Sequence, residues 1–105
     1  MKPATIALLD AAFALTPREH WTQHQTALDA DTLILLPYHP DAVKWCVQGA
    51  LDAATVRNFA VYEKAIEALY EAIDGDIESW NDHPKRTHKQ VLDALYRAAT
   101  ISEEM

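Results

Sequence analysis

The sequence holds two glycines and one cysteine in 105 residues. Cys46 therefore has no partner within the chain, which excludes an intramolecular disulfide and fits a reducing compartment. So little glycine leaves no Gly-rich phosphate loop, and neither a nucleophile elbow nor a paired-carboxylate motif is present. Basic residues are also scarce: Lys plus Arg is 9 against 16 Asp plus Glu, a net charge of −7. That balance repels a phosphate backbone, so direct nucleic-acid binding is not expected, whereas a basic partner would be attracted. No apolar run reaches the roughly 18–20 residues needed to span a bilayer. Lys2 is followed by neither a long apolar core nor a small-residue cleavage site, so no signal peptide is expected and a cytoplasmic location is read.

Half of the residues are apolar, and alanine, the best helix former, is abundant. The length suits one domain over residues 1–105 with one core. The expectation is a mainly α fold, a small single-domain bundle of about four helices.

The first helix is placed from about Ala4 to Leu15, with Ile6, Leu9 and Phe13 at helical spacing, and Thr16-Pro17 ends it. Arg18 to Asp31 is irregular or a short helix. Thr32-Leu33-Ile34-Leu35-Leu36 reads as a short extended or irregular segment without a clear partner strand. The second helix is expected at Asp41–Ala54, with Pro40 at its first position. Gly49 in its middle costs about 0.5–1 kcal/mol relative to alanine and is explained by a close helix–helix crossing. Phe59, Tyr62, Ile66, Leu69 and Ile73, joined by Tyr70, predict a third helix over about Asn58–Ile73, closed at Gly75. Residues 77–84 read as a turn or a single helical turn. Thr87 and Gln90 form a capping-box pattern that starts the last helix, whose end from Ser102 to Met105 is expected to fray.

Three groups of residues could carry chemistry. Cys46, beside Trp45, is placed beyond the first turn of the second helix, where the helix dipole helps little, and it reads as a buried core residue. His20 with His24, and His83 with His88 near Asp82, match no established ligand spacing, so neither a metal nor another cofactor is expected. Trp80-Asn81-Asp82 reads as a structural turn with Trp80 plugging the core and Asp82 close enough in sequence to pair with Arg86. Glu63, Lys64 and Glu67 lie on the exposed side of the third helix.

Several of these segments together resemble a family of small uncharacterised bacterial and phage proteins. The carriers are Trp21-Thr22-Gln23, Trp45-Cys46-Val47-Gln48-Gly49-Ala50-Leu51, Trp80-Asn81-Asp82 and Arg86-Thr87, in that order. The resemblance implies a helical domain with no assigned activity and supplies no catalytic residues. The chain departs from the family pattern at His24-Gln25, where Gly-Ala is expected, and at Thr32-Leu33, where a glycine turn is expected.

The leading functional expectation is a non-enzymatic protein-interaction module, such as a phage or mobile-element protein that binds and inhibits a host component. Its face would include Trp21, Tyr38, Glu63 and Glu67. One alternative is a small-molecule-binding or enzymatic domain with its site near Trp45, Cys46, Trp80, Asn81 and Asp82. A second is an acidic mimic of nucleic acid. A homodimer could bury any apolar stripe left uncovered.

Overall fold

Alanine on one side of each long helix decides how this chain packs. The computed structural model describes residues 1–105. It contains α1 (Pro3–Ala14), a short 3-10 turn (Arg18–His20), β1 (Ala27–Leu28), β2 (Lys44–Trp45), α2 (Val47–Thr55), α3 (Phe59–Ala72), α4 (Ile77–Asn81) and α5 (His88–Glu104). The core cluster holds 20 residues, of which eleven are alanine. Such small side chains let helix axes approach closely, with Leu8, Leu15, Leu51, Leu69 and Leu95 filling the space between them. The fold is mainly α, as the composition leads one to expect.

Helix α1 packs on α5, α2 and α3. Its buried face is Ala4, Thr5, Ala7, Leu8, Ala11 and Ala12; Leu8 and Ala12, beside the expected stripe, are buried and Leu9 packs partly against the core, but Ile6 and Phe13 do not. Ile6 is 44% and Phe13 80% exposed. The helix is apolar almost all round, so spacing alone does not choose a face. The alanines occupy the crowded side, where larger side chains would hold the neighbouring helices apart. On α3, Tyr62, Ile66 and Leu69 pack inward as expected, whereas Phe59 and Tyr70 point to solvent.

The caps explain most helix boundaries. Asn58 accepts the Val61 N–H and opens α3, and Asp76 accepts the Ser79 N–H and opens α4. Thr87 and Gln90 form the full reciprocal capping box at α5. Gly75 takes a φ of 101° between α3 and α4, a value open to glycine. The end of α5 does not fray as expected. It stays helical to Glu104, because Thr5 Oγ1 donates to Glu103 at 2.8 Å and contacts Ser102 Oγ at 3.1 Å, and the Lys2 N–H donates to Glu103 at 3.0 Å.

Helix α2 starts at Val47, not at Asp41. The His39-Pro40-Asp41 stretch is a turn instead, closed by the His39 N–H on the Leu36 carbonyl and the Ala42 N–H on the His39 carbonyl. Lys44-Trp45 is then drawn into antiparallel pairing with Ala27-Leu28. Ile34 makes a single bridge to Leu28, so the apolar run at 32–36 does have a partner, although only one residue of it pairs.

Candidate functional site

One amide is the centre of the bonds that hold the irregular stretch from Trp21 to Trp45 to the helices. Asn81, the last residue of α4, is 1% exposed. Its Oδ1 accepts from Trp21 Nε1 at 2.9 Å and from the Val47 N–H at 3.0 Å. Its Nδ2 donates to the Thr22 carbonyl at 3.2 Å and to Asp82 Oδ1 at 2.9 Å. All four hydrogen-bonding positions of the amide are thus filled. Gln23 Nε2 donates to the carbonyls of Asn81 and His83, and Asp82 Oδ1 also accepts the His24 N–H. The two motifs Trp21-Thr22-Gln23 and Trp80-Asn81-Asp82 therefore bind each other. Trp21 is half-buried, and its polar end is engaged inside the protein.

The residues expected at a small-molecule site fall in three places. Cys46, Asn81 and Asp82 do meet, with His24 and Gln48, around a cavity of about 170 Å³. Trp80 instead lines a separate cleft with Arg97 and Gln90, its ring covered by the Arg86 guanidinium at 3.9 Å. Trp45 is tied to the loop by its Nε1 donating to the Pro37 carbonyl. Asp82 does not pair with Arg86, which donates to the Trp80 carbonyl and to Gln90.

Cys46 lies at the helix N-terminus rather than past the first turn, because α2 starts six residues later than expected. Its Sγ accepts the Gly49 N–H at 3.2 Å. The thiol is nevertheless pushed above its ordinary value of 9.0, because burial outweighs the N–H groups of Gly49 and Gln48 and the charges of Asp82 and Asp52 add to it. A thiol in that state is protonated at neutral pH and is a poor nucleophile. The histidines scatter: His20 Nδ1 faces the Ala14 carbonyl and His88 Nε2 the Leu15 carbonyl. No three His, Cys, Asp or Glu side chains gather as a metal site would require. Gly49 is needed for a close approach, but not by a helix. A Cβ there would lie 2.9 Å from the backbone carbonyl carbon of Thr26.

A second site was not foreseen. Residues 36–38 at the end of the 33–38 loop and the junction of α2 with α3 enclose a cleft of about 500 Å³, with Leu36, Tyr38, Phe59 and Tyr62 as its apolar walls and Asp52 and Arg57 as its charges. Leu33, Ile34, Leu36 and Val56 are each at least 60% exposed, and Phe59 reaches 73%. The junction is strained: Val56 has a φ of 39° and Arg57 a φ of 65°. A β-branched residue in the left-handed region is a true outlier, and such strain concentrates at functional segments. Arg57 stacks over Tyr38 at 5.1 Å. Gln48 donates to the Tyr62 hydroxyl at 3.1 Å. Burial raises the Tyr62 hydroxyl above its ordinary value, with the Asp52 charge adding to the effect. One signal for this face was present in the sequence: four consecutive apolar residues at 33–36, of which Leu33, Ile34 and Leu36 stay exposed.

Residues 1–101 match the model of a family described as Family of unknown function (DUF6197). The chain belongs to this family. No curated protein and no solved structure matches it. In this chain the interlocked segments Trp21-Thr22-Gln23 and Trp80-Asn81-Asp82 fix the start of the 21–46 stretch against α4. The resemblance drawn above placed glycine at His24 and just after Asp31. Both His24 and Thr32 have positive φ, 72° and 64°, a region that glycine enters without strain.

Proposed function

We propose that this DUF6197 chain is a non-enzymatic protein-interaction module whose contact face is the apolar cleft between the 33–38 loop and the α2–α3 junction. The observation that carries the reading is the exposed apolar group Leu33, Ile34, Leu36, Tyr38, Val56 and Phe59, gathered on adjoining segments. A scattered exposed leucine is ordinary, whereas a clustered set rimmed by polar groups marks a binding surface. Phe59, Glu63 and Glu67 follow at four-residue steps along α3 and are all exposed. Tyr38 and the acidic α3 surface thus adjoin one apolar cleft, and a partner with apolar anchors and a basic rim fits it.

A photocrosslinking amino acid placed at Leu36 or Phe59 tests this in producing cells, with Thr100 as the control position. Discrete adducts are expected from the first two positions, lost when Phe59→Ser is added to the Leu36 probe. Absence of adducts, or the same adducts from Thr100, refutes the reading.

A second reading is a small-ligand site in the cavity beside Cys46, Asn81 and Asp82. The cavity itself favours it. Against it stand the fully engaged Asn81 amide and the protonated thiol.

A further inference from the structure

Asp52 sits in the wall of the apolar cleft, three residues before the end of α2. Its carboxylate forms no ion pair with any basic group of the chain. Burial alone raises it above the ordinary carboxylate value, with no cation or hydrogen bond to oppose the effect. The C-terminal end of a helix is also the wrong end for a negative charge, since the last carbonyls carry the negative pole of the dipole. Asp52 is thus partly desolvated, and no cation of the chain offsets this.

The surroundings identify what would. Tyr38, Phe59 and Tyr62 line the same cleft, and aromatic faces attract cations, most strongly once water is displaced. The chain already shows this at its own rim, where the Arg57 guanidinium lies over the Tyr38 ring with Nη2 3.4 Å from the hydroxyl. That contact occupies Arg57 and leaves Asp52 unpaired. The exposed Glu63 and Glu67, about one and two helical turns along α3 from Phe59, and the net charge of −7, favour approach of a basic segment.

We infer that the cleft is a receptor for a cationic side chain, lysine or arginine, on the partner protein, seated between the Asp52 carboxylate and the rings of Tyr62 and Phe59. The inference rests on the interaction reading above and adds the chemistry of the anchor. Apolar residues flanking the cation would cover Leu36 and Val56. Arg57 competes for the aromatic wall, so its removal would tighten the site.

The experiment is selection of peptides from a random display library against the full chain, followed by anisotropy titrations with the enriched peptides. A basic residue flanked by apolar ones is expected in them. Exchange of arginine for citrulline, or lysine for norleucine, is expected to weaken binding on the order of tenfold, as loss of a desolvated cation–π and ion-pair contact would. Asp52→Asn should give a similar loss with its circular dichroism unchanged, Phe59→Ser should weaken binding, and Arg57→Gln should strengthen it. Peptides that need Phe59 and Leu36 yet bind equally well without a basic residue, or equally well to Asp52→Asn, would overturn the cation inference and leave the interaction reading standing. Peptides insensitive to Phe59→Ser and Leu36→Ser, or no enrichment at all, would overturn both.

Discussion

Substituting Gly49→Ala separates local helix propensity from tertiary constraint, because the two predict opposite signs. Gly49 lies inside α2, where alanine is intrinsically better by about 0.5–1 kcal/mol. The structure denies that gain. A Cβ at this position would come well inside 3.0 Å of the Thr26 carbonyl oxygen and 2.9 Å from its carbon. These are backbone atoms, so no rotamer change relieves the overlap. The same Thr26 carbonyl accepts the Cys46 N–H at 3.3 Å, next to the β1–β2 pair and the cap of α2. Moving it strains the cap and the strand pairing together. Overpacking of this kind costs about 1–3 kcal/mol, and a backbone clash belongs at the upper end. After the propensity gain the net loss is about 2 kcal/mol, which for a domain of this size lowers Tm by roughly 8–16 °C. Thermal and urea unfolding followed by circular dichroism at 222 nm would measure it. A Gly49→Ala protein as stable as its parent would refute the claim that the Thr26 carbonyl dictates glycine here.

Four further outcomes are expected. Asn81→Leu removes the acceptor for the Trp21 indole and the Val47 N–H and should cost about 3 kcal/mol in urea unfolding, two buried donors being left unpaired. Thr32→Gly relieves a left-handed β-branched residue worth about 1–2 kcal/mol and adds flexibility to the unfolded chain, so a net gain of about 0.5–1 kcal/mol should appear as a raised Tm. Asp52 has a raised pKa, so its favourable contribution is complete below the ordinary value of 3.8 and is lost as pH rises through the folded value. Asp52→Asn should therefore raise Tm at pH 7, with the advantage shrinking as the pH falls through the carboxylate range. The Cys46 thiol follows the same sign at the alkaline end: stability is intact below its ordinary value of 9.0 and declines as pH climbs beyond it. Its alkylation by iodoacetamide at pH 8 should be much slower than that of the unfolded chain, and fast labelling of the native protein would contradict its burial.

Helices α3 and α5 were legible because periodicity and caps agree there: the Tyr62, Ile66 and Leu69 stripe, and the Thr87–Gln90 box. Helix α1 was legible as a helix but not in its facing, since Ile6 and Phe13 are as apolar as the residues that are buried. The start of α2 was misplaced because Pro40 and Asp41 form an acceptable helix beginning locally. The competing force is distant: pairing of Lys44-Trp45 with Ala27-Leu28, and the Asn81 amide on the Val47 N–H. Two-residue strands carry no period to read. Asn81 and Asp82 were seen as a turn engaged with its own backbone, whereas their partners lie some 60 positions earlier in the chain. Asp52 and Arg57 were missed because nothing in their neighbours' sequence marks a cleft. The wall facing them comes from a loop, and only the uncovered run at 33–36 hinted at it.

The clasp between Lys2, Thr5, Ser102 and Glu103 has a bearing on biosynthesis. Helix α1 is synthesised before α5, yet much of its apolar side is matched to α5. A growing chain can pack α1 on α2 and α3 as they form, but the part of its alanine face that α5 covers stays open to solvent and to chaperones until α5 emerges. Burial of the core is complete only once α5 has been made, and a product stopped short of α5 would present the uncovered sides of α1 and α3 to the cell's proteases.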